Sequence, residues 1–210
     1  PERGWGQMFP GFLTPDIHVD NRALNGRSTR SFRNEGHWEL VRKKLRKGDY
    51  VFIQFGHNDQ KADTARHSDA ETDYKINLGK YIDETRKVGA IPVLFTPIVR
   101  RKFNPNGTLA DTHGKYTDAV RTVAKEKQVL LIDLNKMSAG LLEKYGPEKS
   151  TSLFVWVEPG IYAALPKGKQ DNTHLNVRGA RLIARMVAEA IKETIPALAP
   201  HIVMYDYVVA

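Results

Sequence analysis

Asp171 and His174 are the side chains of this sequence whose types and spacing best suit proton transfer. They stand three residues apart in the run 170–175, after a stretch rich in proline, glycine and lysine and before an apolar periodic segment that starts at Val177. An aspartate can accept the Nδ1 proton of a nearby histidine, which leaves Nε2 free to act as a general base. Taken alone, this pattern more often marks an Asx-turn and a capping residue before a helix. We predict that the pair lies on a loop leading into the last helix.

Gly26 and Asn58 could supply the hydrogen-bond donors that an ester hydrolase aims at its oxyanion. Each follows a predicted strand, which is where function gathers in open α/β sheets. A glycine presents a bare backbone N–H, and an asparagine presents a side-chain amide. Structural alternatives stay open, because Gly26 could serve only a turn and Asn58 could cap the next segment. Together with Asp171 and His174 they form a coherent set for acyl transfer.

Strand and helix patterns alternate along the chain, which is typical of βαβ units and predicts an α/β fold with helices on both faces of a parallel sheet. We predict strands at 16–20, 50–55, 91–96 and 129–134. Helices are predicted at 4–13, 35–45, 73–88, 115–128, 138–145 and 177–194, with 150–169 irregular and 201–210 strand-like.

The composition is that of a soluble globular protein, with 41% apolar and 27% charged residues in 210. The net charge of +8 favours a polyanionic partner, which could be nucleic acid, anionic lipid or an acidic polysaccharide. Because the basic residues are scattered and no recognition motif appears, nucleic acid is the weakest of these. The absence of cysteine excludes disulfides, thiolate zinc sites and a cysteine nucleophile. No apolar stretch is long enough to span a membrane.

Several blocks of the sequence resemble the SGNH (GDSL-like) hydrolases, and within them the rhamnogalacturonan acetylesterase branch. The most specific are Phe-Gly-His-Asn-Asp at 55–59 and Asp-Asn-Thr-His-Leu at 171–175, with further similarity at 4–8, 21–32, 48–54 and 96–101. The resemblance implies a three-layer α/β/α, flavodoxin-like fold. It also implies the roles of the site residues: His174 as general base, Asp171 as its orienting acid, Gly26 and Asn58 as oxyanion donors, and Gly56 as the residue that shapes the turn before Asn58.

The family's first block, a Gly-Asp-Ser that carries the nucleophile, does not occur in this sequence. We therefore expect a chain that lacks its nucleophilic serine and first strand, and that is poorly active or inactive as it stands. Ser28 is a weak substitute, because it follows the oxyanion glycine. We interpret residues 1–200 as the hydrolase-like domain. The tail, 201–210, either fills the place of the missing strand or, as we favour, opens a following domain that resembles a pectinesterase.

These features predict a secreted or periplasmic carbohydrate O-acetyl esterase that acts on an acetylated pectic polysaccharide without a metal or cofactor. No nucleic-acid or membrane partner is expected. Four arginines, Arg27, Arg30, Arg100 and Arg101, would suit a galacturonate-bearing substrate or would form salt bridges along the rim of the cleft. The alternatives are an esterase or lipase of the same fold acting on another ester, and a non-catalytic carbohydrate-binding module.

Overall fold

The structure, a computed structural model, describes residues 1–204. The chain forms two compact units. We call Arg22–Ile98 with Asp111–Asn135 the sheet unit. The remainder, Pro1–Asn21, Val99–Ala110 and the chain from Lys136 onwards, is the hairpin unit.

The sheet unit is built on three parallel strands in the order β1-β2-β3: β1 (Tyr50–Gln54), β2 (Ile91–Phe95) and β3 (Leu130–Ile132). Phe52 lies opposite Val93, and Leu94 lies opposite Leu131. The helices of this unit are α2 (Thr29–Asn34), α3 (His37–Arg42), α4 (Asp73–Lys87) and α5 (Lys115–Glu126). The near-continuous apolar runs of the strands suit this covered parallel sheet.

The core of the sheet unit lies where α4 and α5 meet the strands. Both helices are amphipathic, and the residues that they bury recur at spacings of three and four, as one helix face requires. Trp38 from α3 stacks edge-on against Tyr81, with 4.7 Å between ring centroids. The buried members include Val51, Ile53, Tyr74, Leu78, Tyr81, Ile82, Leu94, Val120 and Val123.

The hairpin unit contains an antiparallel pair, β4 (Phe154–Val157) and β5 (Lys169–Leu175). Its helices are α1 (Trp5–Met8), most of α6 (Leu134–Lys149, broken at Gly146) and the long α7 (Val177–Thr194). The buried face of α7 alternates branched residues with alanines, which lets α1 approach closely. In the part of the chain that the structure describes, no helix combines the length and apolarity that a membrane crossing needs.

The α/β class is confirmed, and so are the three central strands and the helices at 73–87, 115–126 and 177–194. Two local predictions are wrong. Residues 16–20 form no strand, because this segment pairs with no neighbouring strand in the described chain. The segment 150–169, predicted as irregular, contains β4. Helix α2 lies in a segment, 29–34, for which no element was predicted.

The start of the predicted tail pairs with the N-terminal segment. Ile202 forms an antiparallel bridge with Leu13, and the Val203 N–H donates to the Phe12 carbonyl at 2.9 Å. Residues 205–210, which carry the resemblance to a pectinesterase-like domain, lie outside the described residues. The proposal that the tail replaces a strand of the parallel sheet stays a prediction.

Candidate active site

Asp171 and His174 lie on strand β5, not on the loop that the sequence predicts. Residues 169–174 are all polar, so the sequence shows no alternation of apolar and polar residues, and the strand forms because it pairs with β4. Helix α7 begins three residues after His174. Asn176 caps it by accepting the Gly179 N–H at 3.0 Å, and its amide donates to the carbonyls of Ser152 and Phe154 at 2.9 Å. The imidazole is therefore held close to a rigid junction.

The two residues form the contact that a general base requires. His174 Nδ1 lies 2.7 Å from Asp171 Oδ2. The other oxygen, Oδ1, accepts the Thr173 N–H at 2.7 Å and the His174 N–H at 2.8 Å. One carboxylate therefore makes both the hydrogen bonds of the Asx-turn and the contact that orients the imidazole. The His174 side chain is 43% exposed and Asp171 only 10%, and no described residue bonds Nε2, so this nitrogen is available to a substrate.

Lys169 completes the surroundings of the carboxylate. Its Nζ lies 2.9 Å from Asp171 Oδ2, the same oxygen that faces the imidazole. Burial acts to raise the pKa of Asp171, but the hydrogen bonds from Lys169, His174 and Thr173 outweigh it and hold that pKa well below its usual range. Asp171 is consequently an anion at any pH at which an esterase works. Sequence reasoning missed this role of Lys169, because the contact with Asp171 depends on strand β5, which the sequence did not predict.

In the sheet unit, Asn58 and Gly56 lie on the loop that follows β1. Gly56 has φ 129°, a conformation open almost only to glycine, and an added Cβ would lie 3.1 Å from the Pro97 ring. Asn58 Nδ2 donates to the Arg27 carbonyl at 3.3 Å. An amide nitrogen has two N–H donors, so one remains for a ligand.

Gly26 lies three residues before the start of α2, with φ 77°. Its left-handed backbone fits a turn, and the residue is exposed, so a turn and a donor to the oxyanion are compatible at this position. Ser28, considered as a substitute nucleophile, is fully buried. Its Oγ accepts the Ser31 N–H at 3.1 Å, and its own N–H donates to Ser31 Oγ at 2.9 Å. This is a capping box, so Ser28 holds α2 rather than meeting solvent.

Asp59 joins the loop of Asn58 to the start of α2, and sequence reasoning missed this role. Its carboxylate is fully buried and accepts the Gly56 N–H at 3.1 Å and the Thr29 N–H at 3.0 Å. Burial raises the pKa of Asp59 to about 6, although the hydrogen bonds from Thr29 and Gly56 oppose that rise. The position directly after the proposed oxyanion asparagine was the available signal.

The four arginines differ in their partners. Arg27 pairs with Glu35 at 2.8 Å, and Arg30 pairs with Asp73 at 2.6 Å, as the salt-bridge alternative expected. Burial lowers the pKa of Arg100. Arg101 donates its backbone N–H to the Asn172 carbonyl at 2.8 Å, which ties it to β5.

The predicted site residues are divided between the two units. His174, Asp171, Arg100 and Arg101 belong to the hairpin unit, and the rest, Gly26, Gly56, Asn58, Arg27 and Arg30, belong to the sheet unit. Among residues 1–204, no cluster of three or more histidine or acidic side chains could hold a metal ion.

Comparison with known proteins extends this picture. Residues 1–182 match the model of the GDSL-like lipase/acylhydrolase family. The rhamnogalacturonan acetylesterase RhgT of Bacillus subtilis is 41% identical over 203 residues, which are 97% of this chain and 86% of RhgT.

Two solved structures resemble the fold. YxiM of Bacillus subtilis has a TM-score of 0.76 and 29% identity, covering 91% of this chain and 50% of its own. Axe2, an acetylxylan esterase from Geobacillus stearothermophilus, has a TM-score of 0.66 and 20% identity, covering 90% of this chain and 81% of its own. The second likeness concerns the fold alone.

Proposed function

Because this chain belongs to the GDSL-like lipase/acylhydrolase family, we propose that it is a carbohydrate esterase that removes acetyl groups from a pectic polysaccharide. One structural observation carries the chemistry: the 2.7 Å contact between Asp171 Oδ2 and His174 Nδ1, with Nε2 open. The identity of 41% with a rhamnogalacturonan acetylesterase supports the substrate class. A polymeric substrate does not cross membranes, so the enzyme is secreted or periplasmic.

In the proposed reaction, a serine hydroxyl attacks the acetyl carbonyl while His174 Nε2 takes its proton. Asp171 keeps the Nδ1 proton in place and stabilises the imidazolium. The Gly26 N–H and the Asn58 amide donate to the oxyanion of the tetrahedral intermediate. When this intermediate collapses, the sugar oxygen leaves and takes the proton from His174. A water molecule then attacks the acetyl-serine with His174 again as base, and acetate is released. The family's serine stands in a Gly-Asp-Ser block, which these 210 residues do not contain.

The proposal is tested by measuring acetate released by the full-length protein from acetylated rhamnogalacturonan, acetylated xylan and short aryl esters. We expect the pectic polymer to give the highest kcat/KM. We also expect Asp171→Asn to lower kcat about 10⁴-fold, because the imidazole loses its orienting anion. Release from aryl esters with none from the pectic polymer would instead favour an esterase of another specificity.

A further inference from the structure

Trp156 is an exposed aromatic residue beside the Asp171–His174 pair. It lies on β4, where its neighbours Phe154 and Val155 are each 1% exposed, but Trp156 itself is 37% exposed. Its indole Nε1 donates to Asn172 Oδ1 at 3.0 Å. The ring is thus presented at the surface in one fixed orientation, held by the residue that directly follows Asp171.

Arg101 stacks on this ring and is fixed by oxygen atoms that carry no charge. Its Cζ lies 4.8 Å from the centroid of the Trp156 ring. Nε donates to Ser150 Oγ at 3.0 Å, Nη1 donates to Asn172 Oδ1 at 2.8 Å, and Nη2 donates to the Pro147 carbonyl. A guanidinium has five N–H donors, so two of them are left for an incoming group.

The charge of Arg101 has no counterion among residues 1–204, since its contacts there are the oxygens and aromatic rings of the hairpin unit. The guanidinium is partly buried, and this burial lowers its pKa because it removes part of its hydration. Arg27 and Arg30 differ, because each has a carboxylate partner within 3 Å. A rigid, partly desolvated cation without a counterion favours an anionic ligand, and its planar fork matches a carboxylate.

We propose that Arg101 and Trp156 form a subsite for a uronate unit of the polysaccharide, next to the unit whose ester meets His174. The indole packs against the C–H face of the sugar ring, and the two remaining N–H groups of Arg101 bind the uronate carboxylate. Asn172 positions both side chains, and it lies on β5 between the acid and the base. The identity of the polymer rests on the proposed function, but binding of the carboxylate does not require the acetyl chemistry.

The first test needs no variant. Titration calorimetry compares a galacturonate-containing oligosaccharide without acetyl groups and the same oligosaccharide with its carboxyls reduced to alcohols. We expect the reduced form to bind about tenfold more weakly, because the charged hydrogen bonds are lost. Equal affinity for the two would overturn the subsite.

The second test uses Arg101→Gln, with Arg185→Gln as the control of equal charge change. Arg185 lies on α7 and is paired with Glu189 at 3.0 Å. We expect Arg101→Gln to weaken binding of the unreduced oligosaccharide about tenfold and to abolish the preference over the reduced one. Arg185→Gln should preserve both. Equal weakening by the two variants would overturn the subsite, because general charge attraction would then explain binding.

Trp156→Ala separates the two parts of the subsite. We expect it to weaken binding of both oligosaccharides by a similar factor, about tenfold, because the sugar face is the same in each. Unchanged binding would overturn the role of the indole. If a variant fails to fold, as judged by near-UV circular dichroism, the comparison of the two oligosaccharides on the unaltered protein decides. If the full-length protein shows carboxylate-dependent binding but releases no acetate, the proposed function is overturned and the subsite is kept. If it releases acetate but binds both oligosaccharides equally, the subsite is overturned and the proposed function is kept.

Discussion

Both oxygens of the Asp171 carboxylate accept hydrogen bonds. Lys169 is the donor that also places a positive charge near His174. Its ammonium and the imidazole of His174 share Oδ2, at 2.9 and 2.7 Å. The ammonium therefore helps to hold the carboxylate in the position from which it orients the imidazole. Lys169 is therefore a positioning residue that acts through Asp171.

Lys169→Met should lower kcat several-fold, because Asp171 loses one of the two donors on Oδ2 and is held less firmly against the imidazole. Lys167→Met is the matched control, because Lys167 is exposed and two residues earlier. Initial rates of acetate release at saturating substrate measure the effect. Equal kcat values for the two variants and the unaltered protein would contradict the prediction.

Asp59 makes a different prediction, for stability rather than rate. Its pKa is raised to about 6 from a usual 3.8, so folding favours the protonated carboxyl. The native state then binds more protons than the unfolded state between these values, and stability falls as pH rises from about 4 to 6. The loss amounts to about 3 kcal/mol across that window.

Asp59→Asn should remove this slope, because an amide does not titrate. Urea unfolding at pH 4, 5, 6 and 7 would measure the difference in unfolding free energy between variant and unaltered protein. The expected result is a difference that shifts in favour of the variant as pH rises to about 6 and then levels off. If the unfolding free energies of the variant and the unaltered protein differ by the same amount at every pH, the raised pKa of Asp59 is refuted.

At the scale of elements, the junction between β5 and α7 depends on a glycine inside the helix. An added Cβ at Gly179 would lie only 2.0 Å from the Leu153 carbonyl oxygen. That carbonyl also accepts the Asn176 N–H at 3.1 Å. The start of α7 is thus packed directly against the backbone that leads into β4.

Gly179→Ala should destabilise the protein by about 2–4 kcal/mol, because the backbone must separate to admit the methyl group. Alanine is ordinarily the better helix former by about 1 kcal/mol, so a loss of stability would reflect the clash and not helix propensity. Gly140→Ala in α6 is the control, since its added Cβ meets nothing within 4 Å. It should stabilise by about 0.5–1 kcal/mol. Thermal unfolding of both variants checks the contrast, and equal shifts would contradict it.

The elements also show what sequence could and could not predict. Strands β1 to β3 were predictable because each is a short apolar run bounded by turn residues. The Asp171–His174 contact was predictable because it is local, spanning three residues. Strand β5 was not, because its polar residues acquire strand structure only by pairing with β4. The tie made by Asp59 links positions 30 residues apart, and periodicity carries no information about such a contact.

At the scale of the whole molecule, the net charge of +8 affects how readily the enzyme and a charged substrate meet. Surface charge attracts a polyanion over a distance that salt shortens, to about 10 Å at 0.1 M. The ion pairs of Arg27 and Arg30 neutralise part of the positive charge, so the excess resides in other side chains.

The KM for an acidic polysaccharide should therefore rise several-fold between about 0.05 and 0.5 M salt, because screening weakens attraction. The KM for a neutral aryl acetate should stay constant over the same range, because the surface charge does not attract an uncharged ester. Initial rates of acetate release from both substrates measure the difference. A rise that is equal for the two would show that salt acts on the enzyme itself.

The β4–β5 hairpin has a further consequence for how such an enzyme diversifies. The paired part of the hairpin is fixed by the pairing of Trp156 with Gln170 and by the helix cap at Asn176. Gly168 adds a close backbone contact, since a Cβ there would lie 2.5 Å from the Val157 carbonyl oxygen. The loop between these points, 158–168, can lengthen at little entropic expense, about 0.6 kcal/mol for a doubling. The loop can therefore change in length and sequence in evolution, or by design, while the histidine stays where it is.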